Sequence, residues 1–230
     1  MAIGTAVIVG AGSGLSAAVA RLLAERGYDL ILAARDIAKL SDLASETGAH
    51  CVAVNGADPD GMARVFNDLP SPLRVALYNP SARVRGPITD LDPDTVREAI
   101  EVTAYGAFLM GQQAARLMLQ NDGDTKGTIL FTGASAGVKG FAQSATFAMG
   151  KFAQRGLAQS MARELHPQGV HVAWVNIDGA IANPQKGGAD TGGDAKLDPN
   201  AIAQSYVHLI DQHRSAWSDE LTLRPWVETF

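Results

Sequence analysis

Short apolar runs rich in β-branched residues alternate along this chain with segments of helical period, and that rhythm limits the folds open to it. Strands are expected at Thr5–Val9, Leu30–Ala34, Val52–Val54, Leu73–Tyr78, Thr128–Thr132 and Val170–Asn176, with a shorter one near Leu221–Leu223. Between the first two, Leu15, Ala18, Val19, Leu22 and Leu23 recur at i, i+3, i+4, i+7 and i+8, and Gly27 supplies a stop. Strands that are almost continuously apolar are buried on both faces, and the helices between them provide the cover. The expectation is an α/β fold, a doubly wound parallel sheet of about seven strands with helices on both faces. Such sheets bind ligands beyond the C-terminal strand ends, where the strand order reverses.

Three later helices are expected to open on one dipeptide: Asp58-Pro59, Asp92-Pro93 and Asp198-Pro199. The aspartate caps orphan amides, and proline takes the first helical position, where its missing N–H costs nothing. After the first of these, Met62, Val65, Phe66 and Leu69 keep helical spacing. One stretch breaks the rhythm: Asn183 to Asn200, NPQKGGADTGGDAKLDPN, is rich in Gly and Asp and longer than an ordinary connection. It is either a plain surface loop or a mobile lid, and residues 183–199 are read as a mobile substrate-side loop. No repeat or second domain is visible, so residues 1–230 are expected to form one domain.

Charge and cysteine content narrow the partners. With 24 acidic and 19 basic side chains, a formal charge of −5 and no basic block, the chain has no electrostatic footprint for nucleic acid or an anionic membrane. No apolar run approaches the roughly 20 residues of a membrane span. Cys51 is the only cysteine, which rules out an internal disulfide, and the start MAIGTAVIVG lacks a secretory pattern, so a cytoplasmic location is expected. The five histidines show no metal-ligand spacing and no serine sits in a nucleophile elbow, so no metal is expected. His171, inside a strand, is read as structural. Trp217, Trp226 and Phe230 suggest an apolar tail that packs on the body or on a neighbouring subunit.

After the first strand comes VGAGSGLS, Val9 to Ser16, leading straight into a helix. A glycine-rich strand-to-helix turn admits a phosphate close to the backbone, and the helix N-terminus offers free N–H groups and a positive dipole end. Against G-x-G-x-x-G the third glycine of Gly10-Ala11-Gly12-Ser13-Gly14 is out of step; against G-x-x-x-G-x-G, Gly10 and Gly14 fit and Ser16 replaces the last glycine. The second strand ends LILAARD. A carboxylate there would suit the ribose 2′-hydroxyl of NAD, whereas Arg35 suits a 2′-phosphate, which favours NADP(H) while leaving NAD open.

The chain resembles the short-chain dehydrogenase/reductase family along essentially its whole length. The resemblance rests on VGAGSGLS, LYNPSA (Leu77 to Ala82), VTAYGAF (Val102 to Phe108), GTILFTGASAG (Gly127 to Gly137), FAMGK (Phe147 to Lys151) and VNIDGAIANP (Val175 to Pro184). It implies a Rossmann-like fold, a nicotinamide cofactor, a small carbonyl or alcohol substrate, and a homodimer or homotetramer. Cofactor contacts are implied at Gly10, Gly12, Ser13, Gly14, Leu15, Arg35, Gly56, Ala57, Asn79, Pro80, Ser81, Lys151, Asp178, Gly179 and Ile181. The family's catalytic Tyr, Ser and Asn fall on Phe147, Ala134 and Thr103, and only Lys151 is kept; Asp178-Gly179 replaces P-G, and Asn55 stands where Asp is usual. Moving the strand by one residue would offer Ser135. Lys151 is expected on an apolar helix face, bonded to cofactor ribose hydroxyls, with Tyr105 and Ser135 as further catalytic candidates. The proton of a reduction would come from water, Tyr105, Ser135 or Thr132.

Overall fold

The computed structural model describes residues 3–183 and 192–228. Its strands are β1 (Thr5–Val9), β2 (Asp29–Ala34), β3 (His50–Ala53), β4 (Leu73–Tyr78), β5 (Gly127–Thr132), β6 (Val170–Ile177) and β7 (Glu220–Leu223). They pair in parallel throughout, in the order β3-β2-β1-β4-β5-β6-β7. This is the doubly wound Rossmann-like sheet, with its order reversing between β1 and β4. The third strand begins two residues earlier than the apolar pattern suggests and ends at Ala53, because it is an edge strand whose side chains are half-buried or exposed.

Helices α1 (Leu15–Glu25), α2 (Ser41–Thr47), α3 (Pro59–Val65), α4 (Pro93–Ile100), α5 (Gly106–Met118), α6 (Ala145–Leu165) and α7 (Pro199–Asp211) fill the connections. All three Asp-Pro starts behave as expected: Asp58, Asp92 and Asp198 accept from the amides of Asp60, Thr95 and Asn200, and each proline begins its helix. Helix α3 stops sooner than the spacing of Leu69 implies, although Leu69 still packs on the core. Alternation along the strands divides the core in two. Val7, Val9, Ile31, Ala33, Phe131 and Trp174 face α3, α5 and α6, while Ala6, Ile8, Leu32, Leu77 and Val175 face α1, α2 and α7.

Between α4 and α5 the chain winds one wide turn of π-helix, Glu101–Tyr105, a local insertion of the kind that often marks functional sites. Helix α6 buries a single stripe: Phe147, Gly150, Lys151, Gln154, Ala158, Ala162 and Leu165. Gly150 lets that stripe approach the wide turn, since a Cβ there would come within 2.8 Å of Thr103. Beyond β6, Ile181 bridges to Leu197, and the amide of Ala182 donates to the Leu197 carbonyl at 2.9 Å. The base of the 183–199 loop is therefore closed, while residues 184–191 lie outside the described residues. His171 is buried in β6 and stacks on Trp217, ring centroids 4.9 Å apart, so the first part of the tail packs on the body. Trp226 is exposed and Phe230 lies outside the described residues. No helix among the described residues is long and apolar enough to cross a membrane.

Candidate active site and cofactor cleft

A cleft of about 680 Å³ opens at the C-terminal ends of β1, β2 and β4, at the reversal of strand order. Its walls include Gly10, Gly12, Ser13, Arg35, Gly56, Pro80 and Ser81 from the expected cofactor set, and also Lys39. Gly10 has φ +80°, and a Cβ on it would meet the Pro80 ring at 2.7 Å; only glycine lets the first turn pass that close. Gly12 is different, because a Cβ there would meet nothing within 4 Å, leaving room for a ligand against the backbone.

Ser16 earns its place where the family pattern has glycine. Its hydroxyl donates to the Gly10 carbonyl at 3.0 Å and accepts from the Asn79 amide at 2.8 Å, so the loop is tied to the end of β4 from beneath. Asn79 thus supports the glycine turn, and its backbone amide donates to the Val9 carbonyl at 3.0 Å. Leu15 is buried in the core under the helix start. Asn55 caps the amide of Ala57 at 3.3 Å.

Arg35 is exposed at the mouth of the cleft, with Lys39 nearby. Lys39 pairs with Asp36 at 2.9 Å, and that bond first, with Lys39's charge besides, holds the Asp36 carboxyl below the usual carboxylate range. The sequence reading missed Lys39 because it belongs to a short 3₁₀ turn, Ile37–Leu40, that brings it back over the strand end.

Lys151 lies at the centre of a buried polar network. It is 2% exposed, and its Nζ donates to the Thr132 carbonyl at 2.5 Å and to Gln154 Oε1 at 3.2 Å. Gln154 in turn accepts from the Trp174 indole at 3.3 Å and donates to the Thr103 carbonyl at 3.3 Å. Burial, with Arg83's charge adding to it, lowers the Lys151 pKa to about 7. In the charged form two of its three N–H groups are thereby accounted for and a third is left over.

The positions expected to have lost hydroxyls cluster. Phe147, Ala134 and Ala136 pack into a small apolar group, with Phe147 6% and Ala134 7% exposed. Across the Phe147 ring lies Arg83, its guanidinium carbon 4.0 Å from the ring centroid, a cation–π contact with no counterpart in the sequence reading. Thr103 is buried and accepts from the Ala82 amide at 3.0 Å, which fixes the backbone beside Arg83.

Of the other candidate proton sources, Thr132 and Ser135 have their hydroxyls bonded within the protein. The Thr132 hydroxyl bonds to the Tyr206 hydroxyl at 2.9 Å. Ser135 hydrogen-bonds to Asp178, and that bond first, with Arg224 after it, holds the Asp178 carboxyl below its usual range despite desolvation. Asp178 also pairs with Arg224 at 2.5 Å, tying the end of β6 to the segment after β7. Tyr105 is 43% exposed and stacks on Phe108 with centroids 6.2 Å apart. Gly179 lies against the Pro225 ring, where a Cβ would come within 2.8 Å, and Ile181 packs on the core beside α1.

The residues present fit a nicotinamide dinucleotide. The α1 start offers amides unpaired within the helix, the space above Gly12 is open, and Asn183 lies over Gly14 with a buried Oδ1 that has no partner among the described residues. No group of three metal-ligating side chains occurs among the described residues.

Comparison with known proteins agrees with this geometry. The family model for short chain dehydrogenases matches residues 4–183. An uncharacterized oxidoreductase of Staphylococcus aureus strain N315 is 27% identical over 232 residues, covering 96% of both chains. A short-chain dehydrogenase structure from Rhodopseudomonas palustris is 32% identical with a TM-score of 0.83, covering 96% of this chain and 98% of that one. A metagenomic short-chain oxidoreductase, solved in complex with NADP, has the same fold at 24% identity, a TM-score of 0.83 and 99% coverage of each chain. Sheet order, cofactor cleft and a family match over most of its length together establish that this chain belongs to the short-chain dehydrogenase family.

Proposed function

We propose that this chain is an NADP(H)-dependent oxidoreductase that interconverts a small carbonyl compound and its alcohol without a tyrosine acid. The observation that carries the reading is Lys151, a fully buried lysine held by the Thr132 carbonyl and Gln154 and lying one helical turn from Phe147 of the apolar cluster. A lysine with no function toward a ligand would be costly at that depth.

The nicotinamide group, when bound, supplies the hydride. Arg35 and Lys39 present two cations to a ribose 2′-phosphate, and the α1 start, with Gly12 and Ser13, receives the diphosphate. Lys151 offers its remaining N–H to ribose hydroxyls. Phe147, Ala134 and Ala136 form an apolar wall that excludes water from one side of the carbonyl and orients it. The Ser135 and Thr132 hydroxyls are engaged with Asp178 and Tyr206, and Tyr105 is exposed to solvent, so water delivers the proton. Positioned proton transfer contributes about 10²–10⁴-fold, so its loss leaves the larger part of a typical barrier reduction intact.

A second reading, a non-catalytic NADP(H) sensor or partner subunit, draws on the same apolar cluster, because the hydroxyls expected at 134 and 147 are absent together. Fluorescence titration with NADPH and NADH tests the cofactor part of both. NADPH should bind at least about tenfold tighter, and Arg35→Ser should remove most of that preference. Equal affinities in the unaltered protein would overturn the NADP(H) assignment.

The protein is further proposed to act as a homodimer. Tyr105 at the end of the wide turn and Phe108 on α5, with Met149 and Phe152 on α6, are exposed apolar groups on packed elements, the pattern of a surface that a second copy covers.

A further inference from the structure

We propose that the substrate is an acidic carbonyl compound whose carboxylate is bound by Arg83 and Arg85; the inference rests on the oxidoreductase reading above. The segment Ala82 to Gly86 carries both arginines along the edge of the site. It is fixed at one end by the Ala82 amide on Thr103 and at the other by the Gly86 amide on the Gln143 carbonyl at 3.2 Å. Those anchors hold Arg83 over Phe147, the residue at the position of the family's acid, and so beside the place where a substrate oxygen belongs.

Three further observations point to an anion. Neither arginine forms an ion pair with a carboxylate among the described residues, whereas most other arginines do. Although more than a third of Arg83 is open to solvent, desolvation of its guanidinium, with the charge of Arg85 adding, holds its pKa below the ordinary value. Two like charges kept close on an anchored segment without a counter-ion are stabilised by an anion between them. Lys139, over Phe141 at 5.5 Å, adds positive charge to the same region of a chain whose formal charge is −5. Asp178, which feels the charge of Lys139, is already held by Arg224. A planar guanidinium resting on a ring leaves its N–H edge free to fork onto a carboxylate.

The test compares acetoacetate, pyruvate and 2-oxoglutarate with their methyl esters, using calorimetry on the protein loaded with NADP⁺ and NADPH oxidation in parallel. At least one acid should bind about tenfold or more tightly than its ester. Arg83→Ala should weaken that acid by about ten- to a hundredfold and leave NADPH affinity unchanged, and Arg83→Lys should restore part of the loss. Acids and esters binding alike, no acid binding at all, or an Arg83→Ala defect in NADPH affinity instead would each overturn the inference. The two readings separate: ester reduction without acid preference removes only the anion site. Acid binding lost in Arg83→Ala without NADPH oxidation removes only the oxidoreductase.

Discussion

At residue 147 a phenyl ring stands one turn from a lysine that the fold keeps buried, and the two side chains have different surroundings. Phe147 packs with Ala134 and Ala136 and carries Arg83 on its face, while Lys151 is held by Thr132 and Gln154. If the site is otherwise intact, Phe147→Tyr should raise carbonyl reduction about 10–100-fold, less than a full acid contributes because Ala134 still offers no hydroxyl. Steady-state rates of the two proteins with one substrate check this. The lysine predicts a stability change of definite sign. Its pKa is about 7 folded against 10.5 ordinarily, so between those values the unfolded chain holds a proton that the folded one has released. Stability without cofactor should therefore rise from pH 7 to pH 9, and below about 7 that gain is absent. Urea midpoints across this range should show Lys151→Met losing that rise; an unchanged slope would mean the lysine stays charged when folded. The sequence exposed Lys151 and Phe147 but not their partners. Gln154 lies on the same helix stripe and was within reach of a helical-spacing argument, whereas Arg83 arrives from a loop 64 positions away, visible only in the fold.

At the scale of elements, the period of the apolar residues sufficed for seven strands and the Asp-Pro pairs for three helix starts. What it could not supply were structures without a period of their own. Helix α2 is only seven residues long and buries Leu43 alone, and the wide turn at Glu101–Tyr105 adds a residue to a helix without any composition signal. Asp178, an apparent departure in the cofactor segment, became intelligible through Arg224, 46 residues later. The β1–α1 turn gives the clearest test of an element's local logic. Gly10→Ala forces a Cβ at positive φ into the Pro80 ring and should cost about 2–4 kcal/mol, lowering Tm by several degrees. Gly12→Ala meets no protein atom, so Tm should stay within about a degree or two while cofactor affinity falls. Calorimetric melting beside NADPH titration separates the two outcomes, and a Gly12→Ala protein that binds NADPH normally would move the diphosphate away from this turn.

For the whole molecule, reversal of the strand order places the cleft, and the elements around α5 and α6 leave Tyr105, Phe108, Met149 and Phe152 exposed. Phe152→Glu introduces a charge on that surface and should shift the protein from dimer to monomer in sedimentation velocity while the melting transition is kept. An unaltered dimer would place the contact elsewhere. The central claim is that a protein with this cleft transfers hydride with phenylalanine at position 147. It is tested most directly by incubating the protein with NADPH stereospecifically deuterated at the reactive carbon and a carbonyl panel that includes the acids above, then measuring deuterium in the alcohol by mass spectrometry. The account predicts label from one face of the cofactor only, in the product of at least one carbonyl; tight NADPH binding with no label in any product would contradict it.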